Sequence, residues 1–205
     1  GVECLQGYEG LKEDKSLKRI ETAYAQAFNI IKYVKGIEEN KTITPSLSSE
    51  GIDPLEAIHH IEETFQQPME LKELVLEIDS SNLSAGCTII AEDSPFEAQI
   101  LFNIVSNAIK FSLKGGVIRI KAWNDYNEVF ISISDEGCGM PRKFLGKVFD
   151  PNERTTQLGT AGEKGTGFGL PLVRSFMDAY NGKISVYSND EALSGPTGTK
   201  IVLQF

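Results

Sequence analysis

Between Ile100 and Phe111 the apolar residues Ile100, Leu101, Ile104, Val105 and Ala108 recur at the spacing of one helix face. Asn103, Asn107 and Lys110 fall four and three residues apart, so they share another face of the same helix. A second helical run carries Leu55, Ile58, Ile61 and Phe65 inward. It follows Asp53-Pro-Leu-Glu56, which supplies an N-cap, a proline at the first helical position and a capping-box glutamate. Ser94-Pro-Phe-Glu97 starts the Ile100 helix by the same logic. A third run, with Val173, Phe176 and Tyr180 on one face, stops at Asn181-Gly182. Upstream, from about Leu11 to Glu39, Leu17, Ile20, Tyr24, Ala27, Ile31 and Val34 alternate steps of three and four. That seam is too apolar for one helix to leave unpaired, and it predicts either packing on its own domain or a dimer helix.

Elsewhere the period is two. Glu128–Ser134 alternates like a half-buried strand, and Val117–Trp123 pairs with Val129–Ile133 through the turn Asn124–Asn127. Leu74–Ile78 and Thr88–Ala91 are shorter strand candidates, and Lys183–Ser188 and Lys200–Phe205 close the chain. These elements predict an α+β fold. It is a two-layer α/β sandwich with a mixed, mostly antiparallel sheet and helices on one face, preceded by a long helix. Three regions follow: an N-terminal arm and long helix over 1–40, a polar linker with Pro45 over 41–51, and a globular domain over 52–205. The first ten residues have no period and read as a frayed arm. No internal repeat is visible.

Composition narrows the function classes. A net charge of −9 gives a nucleic-acid role no electrostatic support. No apolar run is long enough to span a membrane, and no signal peptide is visible. Cys4, Cys87 and Cys138 are scattered without metal spacing, which suits reduced thiols in a cytoplasmic protein. Cys138 lies inside a glycine motif, where redox sensitivity is the alternative to an ordinary thiol.

Three segments carry candidate chemistry, and each has a plainer alternative. The Asn103–Asn107–Lys110 face either meets water or meets a metal-bound polyphosphate. An amide oxygen is a hard ligand that suits Mg²⁺, and an ammonium neutralises phosphate oxygens. Asp135-Glu-Gly-Cys-Gly-Met140 follows a strand. It is either a simple turn or a carboxylate set to accept from an exocyclic amine, with Gly137 and Gly139 admitting close backbone approach. Gly162-Glu-Lys-Gly-Thr-Gly-Phe-Gly-Leu170 opens a helix, where free N–H groups favour phosphate. It has neither the preceding strand of a dinucleotide fingerprint nor Walker spacing, and glycines also serve as hinges.

In this order the segments resemble the GHKL nucleotide-binding superfamily of DNA gyrase, heat-shock chaperones, mismatch-repair ATPases and histidine kinases. Asn103–Lys110 resembles the N box, Asp135–Gly139 the G1 box and Gly165–Gly169 the G2 box. Lys147-Val-Phe-Asp-Pro151 resembles the F box, a histidine-kinase feature. The resemblance covers roughly Ile52–Phe205 and implies ATP and Mg²⁺ as cofactors. It implies Asn107 as the metal ligand, Asn103 and Lys110 near the phosphates, and Asp135 on the adenine amine. Gly137 and Gly139 would shape the base pocket, with Phe111 and Thr199 beside the base. Gly165, Gly167 and Gly169 would wrap the phosphates and hinge a lid over Asp150–Lys164, from which Arg154 and Lys164 could reach phosphate. ATP-hydrolysing members carry a glutamate four residues before the metal-binding asparagine. Here that position is Asn103, which cannot accept a proton as a general base.

The resemblance therefore implies a sensor histidine kinase domain that donates the γ-phosphate of Mg·ATP to a histidine in two-component signalling. Residues 1–50 hold no histidine, and His59 and His60 lack the acidic residue and proline of an acceptor motif. The acceptor is expected on a separate phosphoacceptor domain. A response-regulator receiver domain is the expected second partner. Homodimerisation is expected through the N-terminal helix, which resembles the second helix of the dimerisation and phosphotransfer hairpin. The parent protein could be membrane-attached. A GHKL ATPase, an anti-sigma-type serine kinase and a non-catalytic signalling module are the alternatives.

Overall fold

A computed structural model describes residues 51–92, 95–153, 155–190 and 196–205. The expected long helix, nearly all of the linker, the Ser94 cap and Arg154 lie outside the described residues.

Helix α1, Pro54–Leu71, begins as its sequence demands. Asp53 Oδ1 accepts from the N–H groups of Leu55 at 2.8 Å and Glu56 at 3.4 Å, satisfying two otherwise orphaned donors. Its buried stripe is Ala57, Ile58, Ile61, Phe65 and Met69. Glu73, at φ 56°, turns the chain into strand β1, Val75–Asn82, which runs longer than its short apolar core suggests. The expected strand at Thr88–Ala91 is instead one antiparallel bridge between Ile89 and Ile52. Ile89 is buried there while Ile90 stays 67% exposed, so the segment offers the core a single side chain.

The Ile100 region enters as a π-helical turn, Phe96–Leu101, and continues as the α-helix α2, Phe102–Phe111. The extra residue per turn was not foreseen from periodicity. Ile100, Leu101, Ile104, Val105 and Ala108 are all buried, as the apolar stripe predicts. Gln99, on the π turn, is also fully buried, and its side-chain amide has no hydrogen-bond partner among the described residues.

Strands β2, Val117–Asp125, and β3, Glu128–Asp135, form the expected hairpin, with Tyr126 at φ 50° in its turn. A one-turn helix α3, Arg142–Leu145, precedes helix α4, Gly169–Ala179. Strands β4, Lys183–Asn189, and β5, Gly198–Gln204, complete the five-stranded sheet. The strand order is β1-β2-β3-β5-β4, with β1 parallel to β2 and the other pairs antiparallel.

Register decides which side chains meet the helices. Ile120, Ile133, Ile201 and Val186 form one row across β2, β3, β5 and β4, and Ala122, Ile131, Leu203 and Ile184 form the next. All but Val186 are buried, and each large apolar side chain among them contributes roughly 1.5–3 kcal/mol. The third row of that face is Ile118, Asp135, Thr199 and Ser188. The core thus gives way to polar chemistry within one strand repeat. The opposite face carries exposed pairs, Arg119 with Glu77 and Glu136 and Lys121 with Asp79, each adding little stability. Helices cover one face of a mixed sheet, which is the expected α+β two-layer arrangement. Among the described residues no helix is long and apolar enough to cross a membrane.

Candidate functional site

The polar row of the sheet opens into a cavity of about 260 Å³, walled by α2, the β3 and β5 ends and the chain from Thr155 to Leu170. Asn103, Asn107, Lys110, Phe111, Asp135, Gly139, Lys164, Gly165, Gly167, Gly169 and Thr199 all line it. Three segments far apart in sequence therefore meet at one surface.

Asp135 anchors one part of this cavity. Its Oδ1 accepts from the Gly137 N–H at 2.9 Å and the Thr199 N–H at 3.3 Å. Its Oδ2 has no hydrogen-bond partner among the described residues. Burial pushes the carboxyl up to about 6, the two N–H donors opposing this only in part. Gly137 is not among the residues that line the cavity and bears on it through the N–H it gives Asp135. It lies beneath the wall, where a Cβ would collide with the Phe111 carbonyl oxygen, so only glycine lets this N–H reach Asp135. Gly139, at φ 67°, is equally confined by the Asn189 carbonyl. Beside it the Met140 N–H donates to Ser188 Oγ at 2.8 Å.

Helix α2 supplies the other polar groups. The Asn103 amide nitrogen donates to the Gln99 carbonyl at 2.6 Å, which leaves Oδ1 toward the start of α4. A Cβ on Gly169 would sit 3.1 Å from that oxygen. Asn107 has no hydrogen-bond partner among the described residues. The Lys110 ammonium donates to the Gln157 carbonyl at 3.1 Å and lies 4.6 Å from the Phe111 ring centroid. Burial lowers its pKa, while the Glu163 charge acts the other way. Among the described residues no group of three or more His, Cys, Asp or Glu could cage a metal ion.

Several lining residues escaped the sequence reading. Ile104, Ile133, Met140, Val148, Leu170 and Ile201 make the cavity's apolar walls. Their sequence signal is that of ordinary core residues. Ser106, Thr155, Thr156 and Gln157 add polar atoms. His59 and His60 lie away from the cavity on α1, where His60 Nδ1 meets Glu97 Oε1 at 3.0 Å.

The family described as "Histidine kinase-, DNA gyrase B-, and HSP90-like ATPase" matches residues 92–205. The sensor histidine kinase WalK of Bacillus subtilis is 40% identical over 90 residues, covering 42% of this chain and 14% of that protein. The chain spans 14%, 10% and 22% of the length of the first three curated relatives, so it corresponds to a small part of each. Among solved structures, the mycobacterial sensor histidine kinase MprB shares the fold with a TM-score of 0.62 at 24% identity, covering 76% of this chain and 95% of that one. The histidine kinase ThkA, solved in complex with the response regulator protein TrrA, gives a TM-score of 0.64 at 20% identity, covering 100% of this chain and 57% of that one. The chain belongs to the family of histidine kinase-, DNA gyrase B- and HSP90-like ATPases, and its relatives are sensor histidine kinases.

Proposed function

We propose that this domain binds Mg·ATP and donates the γ-phosphate to a histidine on a phosphoacceptor domain. One observation carries the reading. A half-buried carboxylate with one oxygen unpartnered among the described residues shares a single cavity with two asparagine amides and a lysine, and apolar walls lie between. Asp135 Oδ2 accepts the exocyclic amine of adenine, which lies between Ile133, Ile201, Met140 and Val148. Phe111 and Thr199 flank the base. Lys110, Asn103, Lys164 and the N–H groups around Gly165, Gly167 and Gly169 receive the polyphosphate.

The donor set fits Mg²⁺. This ion keeps several waters and takes few protein ligands beside phosphate oxygens, and Asn107 offers one unpartnered amide oxygen. When bound, Mg²⁺ supplies charge neutralisation on the phosphates. This chain's residues hold and orient the nucleotide. Asn103 is no base for water, which favours transfer to histidine over hydrolysis.

The acceptor domain, a receiver domain as the next partner and homodimerisation through the N-terminal helix belong to the same proposal, as does a cytoplasmic location. The test is radiolabelled ATP with and without a fragment bearing the acceptor helix. Acid-labile label on that fragment alone is expected. Acid-stable label on this chain would indicate serine kinase chemistry, and rapid phosphate release would indicate an ATPase.

A further inference from the structure

Lys72, the C-cap of α1, belongs to no sequence motif, yet its side chain is only 12% exposed. Its ammonium donates to the Ile109 carbonyl at 2.7 Å, the Lys110 carbonyl at 2.9 Å and Glu163 Oε1 at 3.1 Å. All three of its N–H donors are thereby used. Two of the acceptors are terminal carbonyls of α2, which have no partner within the helix and carry the negative end of its dipole. One helix thus receives its cationic C-cap from another.

The chain over 157–165 closes on the same helix end, sharing the Lys110 carbonyl. The Thr160 N–H donates to Lys110 O at 3.1 Å, and its hydroxyl donates to Ser112 O at 2.6 Å. Glu163 Oε2 accepts from the Ala161 N–H at 2.9 Å, while the Gly159 N–H donates to Glu163 O at 2.9 Å. This makes a compact turn whose charged arm reaches Lys72. Burial would raise the Glu163 carboxyl, but hydrogen bonds from its own and the Ala161 N–H and from Lys72 hold it lowered. Lys110 is gripped by the same turn, through Gln157 O and close to Gly165. Glu163 is the carboxylate whose charge reaches Lys110.

We propose that Lys72 is a positioning residue for the phosphate end of the cavity. It latches the 157–163 turn onto the end of α2 through Glu163 and keeps that carboxylate off Lys110, leaving the Lys110 ammonium for the nucleotide. The role of Lys110 here rests on the nucleotide reading above, whereas the latch itself does not. Glu163 and Thr160 are the latch's moving half and Lys72 its fixed half. Without Lys72, Glu163 turns to the other cation its charge reaches, Lys110, and competes with phosphate.

The test separates the two ideas. Hydrogen exchange over 157–163 is measured on the nucleotide-free chain, with α4 amides as the folding control. Glu163→Gln and Lys72→Met should speed exchange there by up to about fivefold, the range of a partly exposed ion pair, and Lys72→Arg should restore it. In titrations with Mg·ADP, Lys72→Met should bind about tenfold more weakly. Lys72→Met combined with Glu163→Gln should regain part of the loss, since the competing carboxylate is gone. Unchanged exchange in a folded Glu163→Gln would overturn the latch. Wild-type affinity in a folded Lys72→Met would overturn the positioning role. Exchange that responds while even the wild type binds no nucleotide would uphold the latch and overturn the nucleotide reading.

Discussion

Thr199 lies directly opposite Asp135 across the β3–β5 ladder, and its N–H donates to Asp135 Oδ1 at 3.3 Å. Ser188, opposite Thr199 on β4, donates its hydroxyl to the Gly198 carbonyl at 2.8 Å. Thr199 must then be the donor in the 2.8 Å contact between the two hydroxyls. The carboxylate is held by backbone on one oxygen and left open on the other.

Asp135→Ala is expected to weaken nucleotide binding ten- to a hundredfold without unfolding the domain. It removes a charged acceptor worth roughly 1.5–3 kcal/mol. Calorimetry on the folded variant checks this; unchanged affinity would remove Asp135 from the site.

Affinity should also depend on pH. The adenine amine needs the ionised carboxylate, and the empty site holds that carboxyl at about 6. Binding should be flat above about pH 7 and fall up to tenfold per unit below about pH 6. The empty fold shows the reverse trend. Its carboxyl is raised above the ordinary 3.8, so this group's stabilisation is present at low pH and lost as pH rises through about 6. Asp135→Asn should abolish both slopes, as read by titration and by thermal melts across pH 4–8.

Asn107→Ala should cost more affinity with Mg²⁺ than without it, because the amide oxygen is assigned to the metal. Parallel titrations with Mg²⁺ and with EDTA give the comparison. Equal losses in both would assign Asn107 a structural role instead.

The segment from Asp150 to Lys164 should gain hydrogen-exchange protection when nucleotide binds, most strongly near Lys164 and Gly165. Its contacts to the rest of the domain are chiefly polar, and such contacts open at low cost. Equal protection with and without nucleotide would contradict its role as a lid.

Much of this was legible because periodicity reports burial. The stripe from Ile100 to Ala108 and the alternation of Glu128–Ser134 each mark one apolar face, and the polar face of α2 follows by subtraction. Asp135 and the glycines stood out because few other residue types fit a strand end or a close backbone approach. The latch was not legible, since Lys72 and Thr160 look like ordinary surface residues until chain segments 38 and 50 residues from Lys110 meet it. Ile133 and Ile201 were hidden for the opposite reason. A wall of a cavity and a wall of a core present the same alternation.

The π turn at Phe96–Leu101 has a consequence for how this helix can change length. A π turn is an α-helix with one residue inserted. Deleting one residue there, Gln99 for example, should let the turn relax to an α-helix and also remove a buried amide that has no partner. The same deletion between Asn103 and Asn107 would swing one amide about 100° around the helix axis from the other. Single-residue gaps should therefore be survivable in the first turn and destructive between Asn103 and Asn107, although both fall in one continuous helix.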